Sequence, residues 1–232
     1  MNIDSAQPIP PARPERPGWP ELIAATVTAL VAYVAGGLIT LNEGDTGPIS
    51  AGHLAFIVSA AAPAIAFFAA YLVRIRRFEP FGFRRVPARW VLLGGAAGIA
   101  CCLLSWPVSW VVDPLFPGSE AVQEGYRDAT QAGAVSLMVT VILGGVLTPI
   151  GEELLFRGVL ANFLLRWGPW IGIGLSSVVF AFAHGVNSVM PVAFVVGLAA
   201  GWMLWRSGSI WPSIAVHIVY NTAGLLYHGV AG

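Results

Sequence analysis

Apolar residues occur along this chain in long runs that short polar stretches separate. The runs cover residues 21–41, 53–73, 90–112, 133–150 continuing into 154–165, 169–184, 189–205 and 210–227. A helix needs roughly 20 apolar residues to cross the hydrocarbon core of a bilayer, and most of these runs approach that length. The pattern predicts an all-α fold, a polytopic transmembrane bundle of about seven helices, or eight if the fourth run is split.

The composition agrees with a membrane protein. Of the 232 residues, 56% are hydrophobic and 10% are charged, whereas a soluble domain carries about 25% charged residues. Twelve arginines balance twelve acidic residues, so no net charge attracts nucleic acid. We therefore expect the lipid bilayer as the surroundings and no nucleic-acid partner.

Three regions follow from this pattern. Residues 1–20 are rich in proline and predict a flexible tail, and no apolar segment follows the start closely enough for a signal peptide. Residues 21–132 hold the first three membrane helices and their loops, and residues 133–232 hold most of the membrane-depth ionisable residues. In the fourth run, Pro149 and Gly151 predict a kink or a break.

The arginines predict the orientation, because positively charged loops stay on the cytoplasmic side. The loop 74–89 carries six arginines, and the segments 42–50 and 120–129 are polar or acidic. We expect the loop 74–89 and the N-terminus inside, and the two other segments outside. The chain is thus expected to be a multi-pass protein of the bacterial cytoplasmic membrane.

Small residues at two places predict close helix packing. Glycines four apart occur in "GGAAG" (94–98) and "GLAAG" (197–201), a spacing that lets membrane helices approach closely. The adjacent Cys101 and Cys102 lie in an apolar run, where we expect packing residues and not a disulfide.

A few ionisable residues interrupt the later apolar runs. Glu152, Glu153 and Arg157 lie together, and a charge at a helix centre costs about 2.5 to 3.5 kcal/mol on insertion scales. Glu153 and Arg157 are four apart with the acid first, which favours an ion pair that could be purely structural. Glu152 is rotated by about 100° from Glu153 and must find another partner, a proton or water.

Two later helices carry further polar groups. His184 ends "FAFAH", and His217 and Asn221 lie four apart in "HIVYN". A single membrane histidine often only bridges helices. Together with Glu152, however, these residues suit hydrolysis: the carboxylate exchanges a proton with water, His184 holds that water, and His217 with Asn221 faces a developing oxyanion.

Three motifs, in order, closely resemble those of the CAAX prenyl endopeptidase and bacteriocin-processing (CPBP, or Abi) family of intramembrane proteases. They are Glu152-Glu153-x-x-x-Arg157, Phe180-x-x-x-His184 and His217-x-x-x-Asn221. The resemblance covers roughly residues 133–228. It implies an all-helical intramembrane endopeptidase that cuts a peptide or protein substrate at the membrane.

The resemblance also implies a role for each motif residue. Glu152 would activate water and His184 would help to position it. The oxyanion would be stabilised by His217 and Asn221, and the supporting residues would be Glu153 and Arg157. The family name does not make CAAX processing an expectation here, because no feature of the chain recognises a prenyl group.

Metal dependence stays open at this point, because the family has been described both as metalloproteases and as metal-free glutamate proteases. The helical H-E-x-x-H arrangement is absent. We therefore expect no required cofactor, with zinc bound by Glu152, His184 and His217 as the minority alternative.

Two other classes of function compete with the protease. A proton-coupled transporter also uses membrane carboxylates and histidines, although the chain shows no internal repeat. A non-catalytic membrane scaffold or immunity protein would keep the fold for binding alone.

One difficulty concerns depth. The apolar runs place Glu152 nearer the cytoplasmic side and His184 nearer the outer side. The two residues meet only if the helix breaks at Pro149, or if the fifth helix continues through "GVNSV".

Overall fold

The computed structural model describes residues 15–42, 51–118 and 120–231. Residues 1–14 of the predicted tail, and most of the predicted outer segment 42–50, lie outside the described residues. The described residues form eight helices and no strand, which confirms the all-α prediction. The helices are α1 (Trp19–Asn42), α2 (Ala51–Val73), α3 (Ala88–Val112), α4 (Glu120–Gln131), α5 (Ala134–Trp167), α6 (Pro169–Ala183), α7 (Val189–Ser207) and α8 (Trp211–Ala231).

Each of the seven apolar runs corresponds to one helix. By length and composition, five of the described helices could cross a membrane, namely α1, α2, α3, α5 and α7. Helix α6 is apolar but has only 15 residues. Helix α8 has 21 residues and carries the polar side chains of the last motif. The eighth helix, α4, is polar and comes from the stretch that the charge pattern assigned to an outer loop.

Helix α5 is unbroken from Ala134 to Trp167, so the break considered at Pro149 is wrong. Instead of a break, the helix contains two π-helical segments, Val141–Leu147 and Leu154–Ala161. Between them, Thr148–Glu153 is α-helical and contains Pro149, which has no backbone N–H to donate to the preceding turn. A π-helical turn widens a helix locally and is common at functional sites.

The glycines of helix α3 allow it to lie against the backbone of α8. A Cβ atom on Gly94 would lie 2.3 Å from the carbonyl oxygen of Pro212, and one on Gly98 would lie 2.5 Å from that of Val216. Neither contact can relax by turning a side chain, because the obstructing atom belongs to the main chain. The packing role predicted for this glycine pair is therefore confirmed.

The second glycine pair and the cysteines also serve packing. A Cβ atom on Gly197 of α7 would lie 2.9 Å from the Cβ of Ser177 on α6. Cys101 and Cys102 are free thiols. Cys101 is buried in a cluster with Val196 and Val216, as expected of a small apolar side chain.

An ion pair between the buried Glu21 and the half-exposed Arg74 joins α1 to the end of α2. The side chain of Glu21 is fully buried, and Arg74 donates to it from Nε at 3.0 Å and from Nη2 at 3.1 Å. The backbone N–H of Gly18 donates to the same carboxylate at 2.6 Å. This pair ties the start of the first span to the arginine-rich loop.

Side chains of α2 and α5 hold the C-terminal end of α4. The carbonyl oxygen of Ala129 accepts hydrogen bonds from Ser136 Oγ at 2.7 Å and Thr140 Oγ1 at 3.2 Å. Nε2 of the buried His53 lies 3.3 Å from both hydroxyls. Helix α4 therefore packs into the bundle through α2 and α5.

We expect Gly94→Ala to destabilise the protein by about 1 to 3 kcal/mol, because the new methyl group would push α3 away from the main chain of α8. Unfolding of the purified protein in detergent measures the change. Gly174→Ala is the matched control, since a Cβ atom there meets nothing within 4 Å. Equal stability of the two variants would contradict the packing argument.

Candidate active site

Helix α5 presents its three charged residues at the middle of the bundle. A Cβ atom on Gly151 would lie 2.2 Å from the carbonyl oxygen of Ala60, so α5 and α2 are in backbone contact beside Glu152. Ala60 lies near the middle of α2. The close approach places the carboxylates at the level of the centre of that span.

Glu153 and Arg157 form the buried ion pair that their spacing predicts. Arg157 Nη1 lies 2.9 Å from Glu153 Oε1, and both side chains are at most 1% exposed. The two atoms form an ion pair but do not meet the geometry of a hydrogen bond. Arg157 Nη2 donates to the carbonyl oxygen of Gly197 at 3.1 Å, and the guanidinium lies 4.5 Å from the ring centre of Phe180. The arginine thus joins α5 to α6 and α7.

His217 brings α8 to the two glutamates. Its Nδ1 lies 3.0 Å from Glu153 Oε1, and its Nε2 lies 3.6 Å from Glu152 Oε2. Because an ionised carboxylate only accepts, the contact with Glu153 assigns a proton to Nδ1. Glu153 therefore holds the imidazole so that its other nitrogen faces Glu152.

Glu152 is the carboxylate that stays chemically available. The residue is 7% exposed, and its Oε2 has no hydrogen-bond partner within the described residues. Tyr126 of α4 packs on Phe56 of α2, one helical turn before the Ala60 carbonyl that faces Gly151. The free oxygen can therefore accept a proton from a ligand such as water.

His184 reaches the same site through Phe180. Its Nδ1 lies 2.9 Å from the carbonyl oxygen of Phe180, so that nitrogen carries the proton and Nε2 is free to accept. The Phe180 ring contacts the His184 ring at 4.7 Å and the His217 ring at 5.5 Å between centroids. Both histidines thus pack against one aromatic ring.

The expected difference in membrane depth between Glu152 and His184 came from the predicted ends of the helices. Helix α6 ends at Ala183, so its continuation through "GVNSV" is wrong, and Asn187 there donates to the carbonyl oxygen of His184 at 2.7 Å. Glu152 and His184 each lie sixteen positions from Gly168, where α5 turns into α6. Residues equally far from the turn of a helical hairpin reach a similar level.

Asn221 faces the bundle but already has a backbone partner. It is half-buried, and its Nδ2 donates to the carbonyl oxygen of Gly144 at 3.0 Å. The neighbouring Thr222 donates to the carbonyl oxygen of Gly145 at 3.2 Å. Both acceptors lie in the first π-helical segment of α5. The second N–H of the Asn221 amide remains for a ligand.

The residues do not fit a zinc site in this arrangement. Within the described ranges, no three His, Cys, Asp or Glu side chains are placed so that they could hold a metal ion. Glu152 and His217 lie close together, but within those ranges no third such side chain joins them.

Apolar helices around a buried set of carboxylates, histidines and an asparagine define a polytopic membrane protein with an internal polar site. The resemblance drawn from the three motifs is confirmed for this part of the chain. Residues 134–223 match the family described as Type II CAAX prenyl endopeptidase Rce1-like. The match begins at α5 and contains every motif residue.

One curated relative is similar to part of the chain. The chain is 33% identical over 97 residues to a protein of Escherichia coli described as "Uncharacterized 24.3 kDa protein". The match covers 39% of this chain and 45% of that relative. No solved structure matches the chain significantly. With its apolar spans and the family match, the chain is a multi-pass membrane protein.

The sequence motifs missed the groups that approach Glu152 from outside α5–α8. One of them is Tyr126 on α4, whose ring lies 4.5 Å from that of Phe56 on α2. Tyr126 lies in a stretch whose acidic residues suggested an exposed loop. Its spacing from the buried Ala129 and Thr130, three and four positions later, is the signal that it lies on an inward helical face.

We expect Glu153→Gln to cost about 3 to 5 kcal/mol of stability, because it leaves the charge of Arg157 buried without its partner. We expect Glu152→Gln to change stability by less than about 1 kcal/mol, because the group that faces it at 3.6 Å, His217 Nε2, can lose its proton, whereas Arg157 cannot. Unfolding of both variants in detergent gives the comparison. A loss in Glu152→Gln as large as that in Glu153→Gln would refute the assignment.

Proposed function

We propose that the protein is an intramembrane endopeptidase that hydrolyses peptide bonds of membrane-associated substrates with water activated by Glu152. The observation that carries the proposal is the Oε2 atom of Glu152, buried without a hydrogen-bond partner among the described residues and 3.6 Å from His217 Nε2. Oε2 of Glu153 also lacks a partner there, but the other oxygen of that carboxylate already faces Arg157 and His217. A buried polar atom normally has a partner, so this oxygen is suited to a water molecule. The match of residues 134–223 to the CAAX prenyl endopeptidase family supports the same class of reaction.

Glu152 acts as the general base. Its carboxylate takes a proton from the water while the water oxygen attacks the peptide carbonyl carbon, and it then returns the proton to the leaving amine. His184 accepts a hydrogen bond from the same water through Nε2, because its Nδ1 is bonded to the carbonyl oxygen of Phe180. No covalent intermediate with the protein is needed.

His217 and Asn221 stabilise the oxyanion that forms on the substrate. With protons on both ring nitrogens, His217 donates to Glu153 through Nδ1 and to the oxyanion through Nε2. The formal charges of Glu152, Glu153, Arg157 and His217 then sum to zero, which suits a site inside the bundle. The N–H of Asn221 that Gly144 does not use supplies the second donor.

Glu153 and Arg157 support this arrangement without contacting the substrate. Oε1 of Glu153 lies 3.0 Å from His217 Nδ1 and 2.9 Å from Arg157 Nη1. The carboxylate therefore orients the imidazole as the aspartate of a hydrolase triad does. Arg157 balances its charge.

The proposed substrate is a peptide segment at the membrane, because the site lies among apolar helices near the centre of α2. We propose that the protein works in a bacterial cytoplasmic membrane, with the N-terminus and the arginine-rich loop 74–89 on the cytoplasmic side. No cofactor is required in this mechanism.

Cleavage of a quenched peptide library by the purified protein in lipid or detergent tests the proposal. We expect Glu152→Gln to lower kcat at least about 100-fold, because an amide cannot accept the proton from water. Glu79→Gln, at an exposed position on the arginine-rich loop, is the matched control and should cleave like wild type. Each protein is also assayed after treatment with a metal chelator.

Each outcome decides between hypotheses. Loss of cleavage in Glu152→Gln with full activity in chelator supports the metal-free glutamate mechanism. Loss in chelator as well would show that the reaction needs a metal ion. Normal cleavage by Glu152→Gln would reject its role, and an inactive wild type would favour a transporter or a scaffold.

A further inference from the structure

Helix α4 brings a tyrosine to the part of α2 that faces the Glu152 turn of α5. The Tyr126 ring packs on Phe56 of α2, with 4.5 Å between ring centroids. Its hydroxyl is hydrogen-bonded to the side chain of Ser59. Ser59 precedes Ala60, whose carbonyl oxygen faces Gly151 across the contact of α2 with α5. The hydroxyl is therefore held beside the turn of α5 that carries Glu152.

The position of this tyrosine is rigidly supported. The end of α4 is tied to α5 by the two hydroxyl hydrogen bonds that the carbonyl oxygen of Ala129 accepts. Phe56, on which the ring rests, is itself packed against Gly144, where a Cβ atom would lie 2.4 Å from its ring. A side chain fixed at the ring and at the hydroxyl loses little further entropy when it orients a ligand.

The hydroxyl retains hydrogen-bonding capacity after its contact with Ser59. A phenol offers one proton and two acceptor positions, and a single partner uses only one of them. A buried water molecule typically makes about three hydrogen bonds. In the proposed mechanism, Glu152 and His184 accept two hydrogen bonds from the water molecule. A third group with a fixed position would supply its third hydrogen bond.

We propose that Tyr126, held by Ser59, is a further residue of the reaction site and positions the water that Glu152 activates. This inference rests on the proposed hydrolytic function. It extends the site beyond residues 134–223, the range that matches the family. Helix α4 then forms one wall of the reaction space and is not merely a loop between two spans.

The test measures kcat and KM separately, with a peptide that the wild-type protein cleaves. Tyr126→Phe keeps the ring on Phe56 and removes only the hydroxyl. We expect kcat to fall about 10- to 100-fold, as for loss of a hydrogen bond in a charged site, with KM within about twofold of wild type. Tyr71→Phe is the matched control, because it also removes one bonded hydroxyl, 2.9 Å from the carbonyl oxygen of Arg76 and far along α2 from Glu152.

Ser59→Ala completes a double-mutant cycle. If Ser59 acts through Tyr126, Ser59→Ala lowers kcat by itself but adds little to Tyr126→Phe. Unfolding measurements on all variants exclude a loss of folded protein as the cause.

The outcomes separate this inference from the proposed function. Wild-type kcat in Tyr126→Phe, or a change confined to KM, would overturn the role of Tyr126 while Glu152→Gln still abolished cleavage. Equal losses in Tyr71→Phe and Tyr126→Phe would also overturn it, since a general effect of removing hydroxyls would explain both. A wild type that cleaves no peptide would overturn both proposals together.

Discussion

The charge of Arg157 is the constraint on which the rest of the site depends. The side chain is 1% exposed inside a bundle of apolar helices, and arginine does not lose its proton in proteins. It needs an anion, and Glu153, one helical turn earlier, supplies it. Because the carboxylate of Glu153 also faces His217 Nδ1, the same pair fixes α8 relative to α5. Arg157 Nη2 and the guanidinium face reach Gly197 on α7 and Phe180 on α6.

Pairing Arg157 with Glu153 leaves Glu152 as the carboxylate without a permanent cation. The two neighbours point in different directions from one helix, so one serves the structure and the other remains available for chemistry. The ring of Phe180 contacts both histidines and lies beneath the guanidinium of Arg157. A single buried ion pair and a single aromatic ring thus relate four helices to one another.

Backbone contacts bring the helices close enough for these side chains to meet. Gly94 and Gly98 admit the main chain of α8, Gly151 admits that of α2, and Gly144 admits the Phe56 ring. The π-helical segments on both sides of Thr148–Glu153 accommodate Pro149 without ending the helix. Helix α5 thereby carries its charged residues through the middle of the bundle as one continuous helix.

The sequence by itself determined the apolar helices, the Glu153–Arg157 pair and the three motifs, because length, hydropathy and four-residue spacing are local properties of one helix. Only the tertiary structure decided that His217 of α8 meets the glutamates of α5 and that Tyr126 of α4 packs on Phe56 of α2. Those relations join helices far apart in the chain. They depend on backbone contacts such as that of Gly151 with Ala60, which no single helix encodes.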